Sequence, residues 1–222
     1  MSHDDLARAI AAECDRLGLV VAPDAMPRLA AYAASLWSWN ERLNLTRHLD
    51  AATFVARDVA DAVALAPHLA HGERVLDVGT GGGVPGVLLA ILRPDLRVEL
   101  CDSVAKKARA VGEIVREAGL DVRVHAAAGQ AVAAARPSGA DRFDTLVVRA
   151  VAPLAKLLGW LEPVATSFGR LLVVKGPRWE EERDDARFRG LTKRVAIRRV
   201  ASWPIHGRDH ESVLLEIVVR GG

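Results

Sequence analysis

The chain has 222 residues, half of them hydrophobic, enough for one well-buried core and a single domain with a modest extension. Cys14 and Cys101 stand far apart and match no paired metal or redox spacing, which argues against a disulfide framework and for a reducing compartment. The opening MSHDDLARAIAAECDRLG carries acids where a secretory leader needs basic residues, no apolar run approaches membrane-spanning length, and a formal charge of +2 is too mild for a basic-arm nucleic-acid binder, so a cytoplasmic protein without membrane attachment is expected.

DDLARAIAAECDRLG places Leu6, Ile10 and Leu17 near one face of a first helix that stops at Gly18. PDAMPRLAAYAASLWSWNERLN predicts a second helix, with Pro23 near its first turn and Leu29, Tyr32, Leu36, Trp39 and Leu43 as its buried stripe. A third runs through AATFVARDVADAVALA, and the three make a helical N-terminal extension over residues 1–72. After Gly72, short apolar runs alternate with helical ones. Strands are expected at 74–78, 97–102, 121–126, 143–149 and 169–175, with helices starting near Pro85, Ser103, Gly129 and Pro153. Continuous apolar strands separated by helices imply a parallel sheet covered on both faces. Two further strands, 193–203 and 212–220, follow closely enough that one should run antiparallel, and RWEEERDDARFRG reads as a solvated helix. The fold class is therefore α/β: a doubly wound, seven-stranded, mostly parallel sheet, Rossmann-like, formed by residues 73–222 as one compact unit.

Ligands of such sheets bind outside the carboxyl ends of the strands, at the switch point beside the first strand. VLDVGTGGGVPG, residues 75–86, falls there. Gly79, Gly81 and Gly83 permit a tight turn and close approach of ligand to backbone, and Asp102, ending the second strand, suits a ribose. A dinucleotide site meets these conditions too. Asp77, two residues ahead of the first glycine, shifts the balance: an acid there repels phosphate and suits a ligand with a cationic sulfonium and ammonium, which describes S-adenosylmethionine.

Five segments recur in one order along most of the chain: WNERLNLT (39–46), DVGTGGGVPGVLLAILRPDL (77–96), DSVAKKARAV (102–111), VRAVAPL (148–154) and VVKG (173–176). In them the protein resembles the small-subunit ribosomal RNA methyltransferase G family, also called glucose-inhibited division protein B. The resemblance implies a class I, S-adenosylmethionine-dependent enzyme that methylates N7 of a guanine in 16S rRNA, acting as a monomer on the RNA or the pre-assembled subunit. It implies cofactor contacts from Asp77, Gly79, Gly81, Gly83, Val84, Asp102, Ser103, Gly129, Gln130 and Arg149. Arg149, Lys175, Asn44 and Arg57 fall on the catalytic and target side. Methylation at a ring nitrogen with a free lone pair needs no general base, and the chain carries neither a Cys after strands four or five nor a D/N-P-P-aromatic element, in keeping with that reading.

Some positions depart from the family pattern. Where R-H-x-x-D-S is usual, Arg57 and Asp61 are kept, but Asp58 stands at the His and Ala62 at the Ser. In the G-R-A-E-E segment Ala128 stands at the Arg and Gln130 at the first Glu, and in G-E-R-H Asp209 stands at the Arg, beside Arg208. Each functional residue also has a plainer reading. Arg149 can cap the sheet end instead of meeting a cofactor carboxylate or RNA phosphate, Lys175 can snorkel, and Asn44 can end the second helix. His206 and His210 have metal-like spacing but lack further ligands, so no metal is expected. A methyltransferase of the same fold acting on another RNA or a small molecule is the first alternative. A dinucleotide-binding oxidoreductase or a non-catalytic binding protein is the second.

Overall fold

The computed structural model describes residues 2–136, 141–205 and 209–219. Helix α1 (His3–Arg16) begins at a capping box in which Ser2 and Asp5 satisfy each other's backbone N–H, and α2 (Met26–Leu43) follows a single turn at Pro23–Ala25. The expected third helix is two short ones, α3 (Ala51–Phe54) and α4 (Ala60–Leu65), joined by a wider π turn over Val55–Val59. Such widened turns in a helix often mark a functional site. This one carries Arg57 and Asp58.

The sheet then alternates with helices as β1 (Arg74–Val78), α5 (Gly86–Leu92), β2 (Arg97–Cys101), α6 (Ala105–Glu117), β3 (Arg123–His125), α7 (Gly129–Ala134), β4 (Phe143–Arg149), α8 (Leu154–Leu161), β5 (Phe168–Lys175), α9 (Trp179–Phe188), β6 (Val195–Pro204) and β7 (Glu211–Val219). Seven strands lie in the order β3-β2-β1-β4-β5-β7-β6. Neighbours from β3 to β5 pair parallel, and β7 runs antiparallel to both β5 and β6, as the short final connection required. The third strand is shorter than the sequence suggested because only Arg123–His125 pair with β2.

Two apolar layers cover the sheet. On one face Val75, Val147, Leu172 and Leu214 meet Leu6, Ile10, Leu29, Tyr32, Leu36 and Phe54 from the N-terminal helices, and Leu88 and Ile114 from α5 and α6. On the other, Leu76, Leu146, Leu171 and Val173 meet Leu154, Leu157 and Leu158 of α8 and Ala186 of α9. The alternation of side chains along each strand sends successive residues to opposite layers. Leu29, Tyr32 and Leu36 of the predicted α2 stripe are buried; Trp39 and Leu43 at its end are only partly so. The first layer fixes the N-terminal helices against the carboxyl edge of β1 and β4, where the strand order reverses.

Candidate functional site

At that edge lies a cavity of about 550 Å³ walled by the glycine loop, the end of β4, the end of β5, the π turn and the Leu45–His48 segment. A smaller, apolar cavity of about 140 Å³ lies elsewhere, between α8, β5 and β7, and no residue singled out in the sequence lines it.

The glycine loop is shaped from below and from both sides. Gly79, Gly81 and Gly83 have φ of +71°, +60° and +108°, and a Cβ on Gly79 would stand 2.6 Å from Val151 Cγ2. Gly79 and Thr80 donate their N–H groups to the Cys101 carbonyl at 2.9 and 3.0 Å, tying the loop to β2. Tyr32, fully buried on α2, donates its hydroxyl to the Gly82 carbonyl at 2.9 Å. Asp102 accepts from Gly81 N–H at 3.0 Å on one oxygen and from Val104 N–H at 2.8 Å on the other, and it faces the cavity together with Ser103 and Val84.

Asp77 departs from the expectation that it touches the ligand. Its carboxylate is completely buried beneath the loop, outside the cavity lining, with Oδ2 accepting from the Thr80 hydroxyl at 2.6 Å and Gly86 N–H at 2.9 Å. The reason is steric: the chain folds back so tightly that a Cβ on Gly86 would lie 2.7 Å from Asp77 Cβ, which closes the loop over the acid. Oδ1 has no hydrogen-bond partner. Burial pushes the Asp77 carboxyl up to about 6, although the Thr80 and Gly86 hydrogen bonds and the Arg149 charge oppose the rise.

The target side is organised around Arg149, where the sequence suggested an unpaired cation. The structure corrects this: Arg149 Nη2 is 2.7 Å from Asp58 Oδ1 and Nη1 is 3.0 Å from Asp61 Oδ2. The Asp58 contact is an ion pair whose alignment falls short of a hydrogen bond. Both carboxylates are buried, one turn apart on the π turn and α4, and both have a second partner. His48 Nδ1 lies 2.9 Å from Asp58 Oδ2, and Trp203 of β6 donates Nε1–H to Asp61 Oδ1 at 2.9 Å. The two acids also hold the arginine charged against the cost of its desolvation. Arg57, which lines the same cavity, leaves Nη1 buried with no partner.

The other predicted residues divide. Lys175 lines the cavity but spends its ammonium on the Ala152 carbonyl and Glu182, both at 2.7 Å, where it pins the loop after β4. Asn44 is outside the lining; it ends α2 in the left-handed conformation (φ 47°), while Asn40 accepts Thr46 N–H at 2.7 Å, so the motif's asparagines steer the chain that brings Leu45, Thr46 and His48 to the cavity. Gly83 is outside the lining, and a Cβ there would stand 2.8 Å from Val87 Cγ2 and 3.1 Å from the Tyr32 hydroxyl. Gly129 and Gln130 open α7 outside the cavity, and a Cβ on Gly129 would meet Val78 Cγ1 at 2.4 Å, so this glycine permits packing of α7 on β1. Asp209 is exposed, whereas His206 and Arg208 lie outside the described residues. Among the described residues no group of three or more His, Cys, Asp or Glu is placed to hold a metal, and no helix is long and apolar enough to cross a membrane. Sequence reasoning missed His48 and the anchoring role of Tyr32. A lone histidine after a motif carries no signal, and Tyr32 was visible only as part of an apolar stripe.

Fold and loop together define a Rossmann-like architecture of the class I methyltransferase kind. It is similar to TrmK of M. capricolum solved with S-adenosyl-homocysteine (TM-score 0.54, 13% identity, 72% of this chain and 67% of that one). It is also similar to a mutant of MtNAS in complex with S-adenosylmethionine (TM-score 0.54, 16% identity, 88% and 79%). At these identities the likeness concerns the fold. The sequence goes further: residues 25–205 match the family model described as rRNA small subunit methyltransferase G. A protein of Rhodopirellula baltica named ribosomal RNA small subunit methyltransferase G is 46% identical over 177 residues, covering 80% of this chain and 74% of that protein. One of the same name from Pseudomonas aeruginosa strain LESB58 is 38% identical over 182 residues, covering 81% and 80%. The chain belongs to the rRNA small subunit methyltransferase G family.

Proposed function

We propose that this protein transfers a methyl group from S-adenosylmethionine to N7 of a guanine in 16S ribosomal RNA, with the RNA or the small subunit as partner. One observation carries the reading: in a chain of this family, a glycine loop held open by positive-φ residues shares one cavity with Asp102 on the donor side and Arg57 and Arg149 on the target side.

The residues present fit the donor. Asp102 has lone pairs left over after its two backbone contacts, which suit ribose hydroxyls, and Gly79, Gly81 and Gly82 line the cavity with backbone that carries no side chain. Asp77 acts at one remove, by fixing Thr80 and Gly86 and hence the loop, and by adding negative charge beneath a cationic ligand. Val84 and Ser103 complete that wall, while Gly83 and Gly129 allow close packing behind it. Arg149 is neutralised by two acids, so the anion-binding role shifts to Arg57, which lines the cavity and whose guanidinium suits the donor carboxylate or an RNA phosphate. Lys175 and Asn44 serve by holding loops in place.

When bound, S-adenosylmethionine supplies an electrophilic methyl on a positively charged sulfur. The protein need not remove a proton, because guanine N7 attacks with a free lone pair. On transfer the methyl would leave sulfur with the bonding pair staying behind, and the positive charge would pass to the purine. What the chain contributes is alignment and exclusion of water, effects that can supply much of a methyl-transfer barrier reduction. The target nucleotide must be unstacked to enter, so a loop or single-stranded guanine is the expected substrate.

The test is transfer of labelled methyl from S-adenosylmethionine to small subunits purified from a host lacking the gene. Incorporation by the wild type and its loss in Asp102→Ala supports the reading; absence of incorporation by a folded protein that binds S-adenosylhomocysteine refutes the substrate. Binding of NADH in preference to S-adenosylhomocysteine refutes the donor.

A further inference from the structure

The cavity contains an imidazole that neither the sequence motifs nor the methyl transfer itself uses. His48 lines the cavity, its side chain about a quarter exposed, and its Nδ1 is held by a carboxylate, Asp58, that is almost wholly buried. The segment bearing it is fixed twice more: Trp37 donates Nε1–H to the His48 carbonyl at 2.7 Å, and the His48 N–H goes to the Thr46 hydroxyl at 3.0 Å. A neutral histidine whose Nδ1–H is committed to a carboxylate presents Nε2 as a hydrogen-bond acceptor. Among the described residues Nε2 has no protein partner.

The charged residues that share the cavity leave no free acceptor beside it. Arg57, Arg149 and Lys175 are donors, and the oxygens of Asp61 are taken by Trp203 and Arg149. A purine alkylated at N7 becomes cationic, which makes its N1–H and exocyclic N–H groups better donors as the bond to carbon forms. An acceptor on that edge therefore binds the transition state more tightly than the ground state, which is the condition for accelerating the step. Adenine has a lone pair at N1 where guanine has N–H, so the same contact selects guanine.

We propose that His48, oriented by Asp58, receives the Watson–Crick edge of the target guanine, with Nε2 accepting from N1–H. This inference rests on the guanine-N7 reading, and it assigns to His48 a part in both rate and base selection.

The experiment compares wild type, His48→Ala, His48→Phe and His48→Gln on small subunits from a host lacking the gene, with donor binding measured separately by calorimetry with S-adenosylhomocysteine. Losing one charge-assisted contact made in the transition state predicts a fall in kcat of roughly tenfold in His48→Ala. His48→Phe, which fills the same space without an acceptor, should fall equally. His48→Gln, whose amide oxygen can stand near the Nε2 position, should recover most of the rate, and donor affinity should be unchanged throughout. A histidine that only fills space would instead tolerate Phe as well as Gln, and one that only holds Asp58 would lose unfolding free energy in step with kcat in His48→Ala and His48→Phe. Equal rates in all four proteins, or rescue by Phe, would overturn the inference while leaving the guanine-N7 reading intact. A wild type that methylates no guanine would overturn both.

Discussion

Arg149, the last residue of β4, stands 2.7 Å from Asp58, a residue of the π turn that joins α3 to α4. This contact, with its companion to Asp61, adds a polar tie between the π turn and α4 and the sheet at the mouth of the cavity, beside the apolar layer. A buried ion pair contributes little compared with a well-packed apolar pair, but removing one partner strands the other. Arg149→Met leaves two buried carboxylates facing each other and should lower the unfolding free energy by about 3 kcal/mol. Urea denaturation at neutral pH measures this, and an unchanged midpoint would show that the cluster is solvated.

Asp77 should leave a signature in the pH dependence of stability. Its carboxyl is raised from the ordinary 3.8 to about 6, so between those values the native state holds a proton that the unfolded chain has released. Stability from this group is thus fully present below pH 3.8 and falls as pH rises towards 6, by about 3 kcal/mol in all. Asp77→Asn cannot ionise and should lack that decline. The difference in unfolding free energy between Asp77→Asn and wild type should therefore move in favour of the variant between about pH 4 and pH 6, followed by denaturant titrations at each pH.

Much of this arrangement was legible in the sequence, for physical reasons that also explain what was not. Short β-branched apolar runs such as RVLDV and GRLLVVK read as interior strands, and the glycine run after Asp77 as a turn at a strand end, so the sheet and the position of its cavity followed from them. Asp102, Ser103, Val84 and Arg57 duly line that cavity. The side-chain partners were not legible. Whether Arg149 is free depends on two acids some 90 residues away, and the pairing exists only because a π turn and α4 place Asp58 and Asp61 against β4. The same limit concealed that Asp77 points under its loop, since the closeness of Gly86 is a property of the folded turn.

Asp102→Ala should weaken S-adenosylhomocysteine binding by roughly 1.5–3 kcal/mol, the range for a hydrogen bond to a charged group. Part of that loss comes through Gly81, whose N–H the same carboxylate holds. Calorimetry, paired with circular dichroism to verify the fold, distinguishes this from unfolding; wild-type affinity would remove Asp102 from the donor site.

Tyr32→Phe keeps the packing of α2 but deprives the Gly82 carbonyl of its side-chain partner. A single buried hydrogen bond of this kind contributes about 1 kcal/mol. The variant should lose that much stability and bind donor more weakly, as the loop is no longer tied to the N-terminal helices. A loss of stability with donor affinity untouched would show that the loop keeps its shape without α2.

The central claim is the modification itself. The most direct measurement is to delete the gene in its host and probe the small-subunit ribosomal RNA for 7-methylguanosine by borohydride–aniline cleavage. One cleavage site should disappear on deletion and return with the wild-type gene but not with a gene encoding Asp102→Ala. A cleavage pattern identical in the presence and absence of the gene would contradict the proposed reaction.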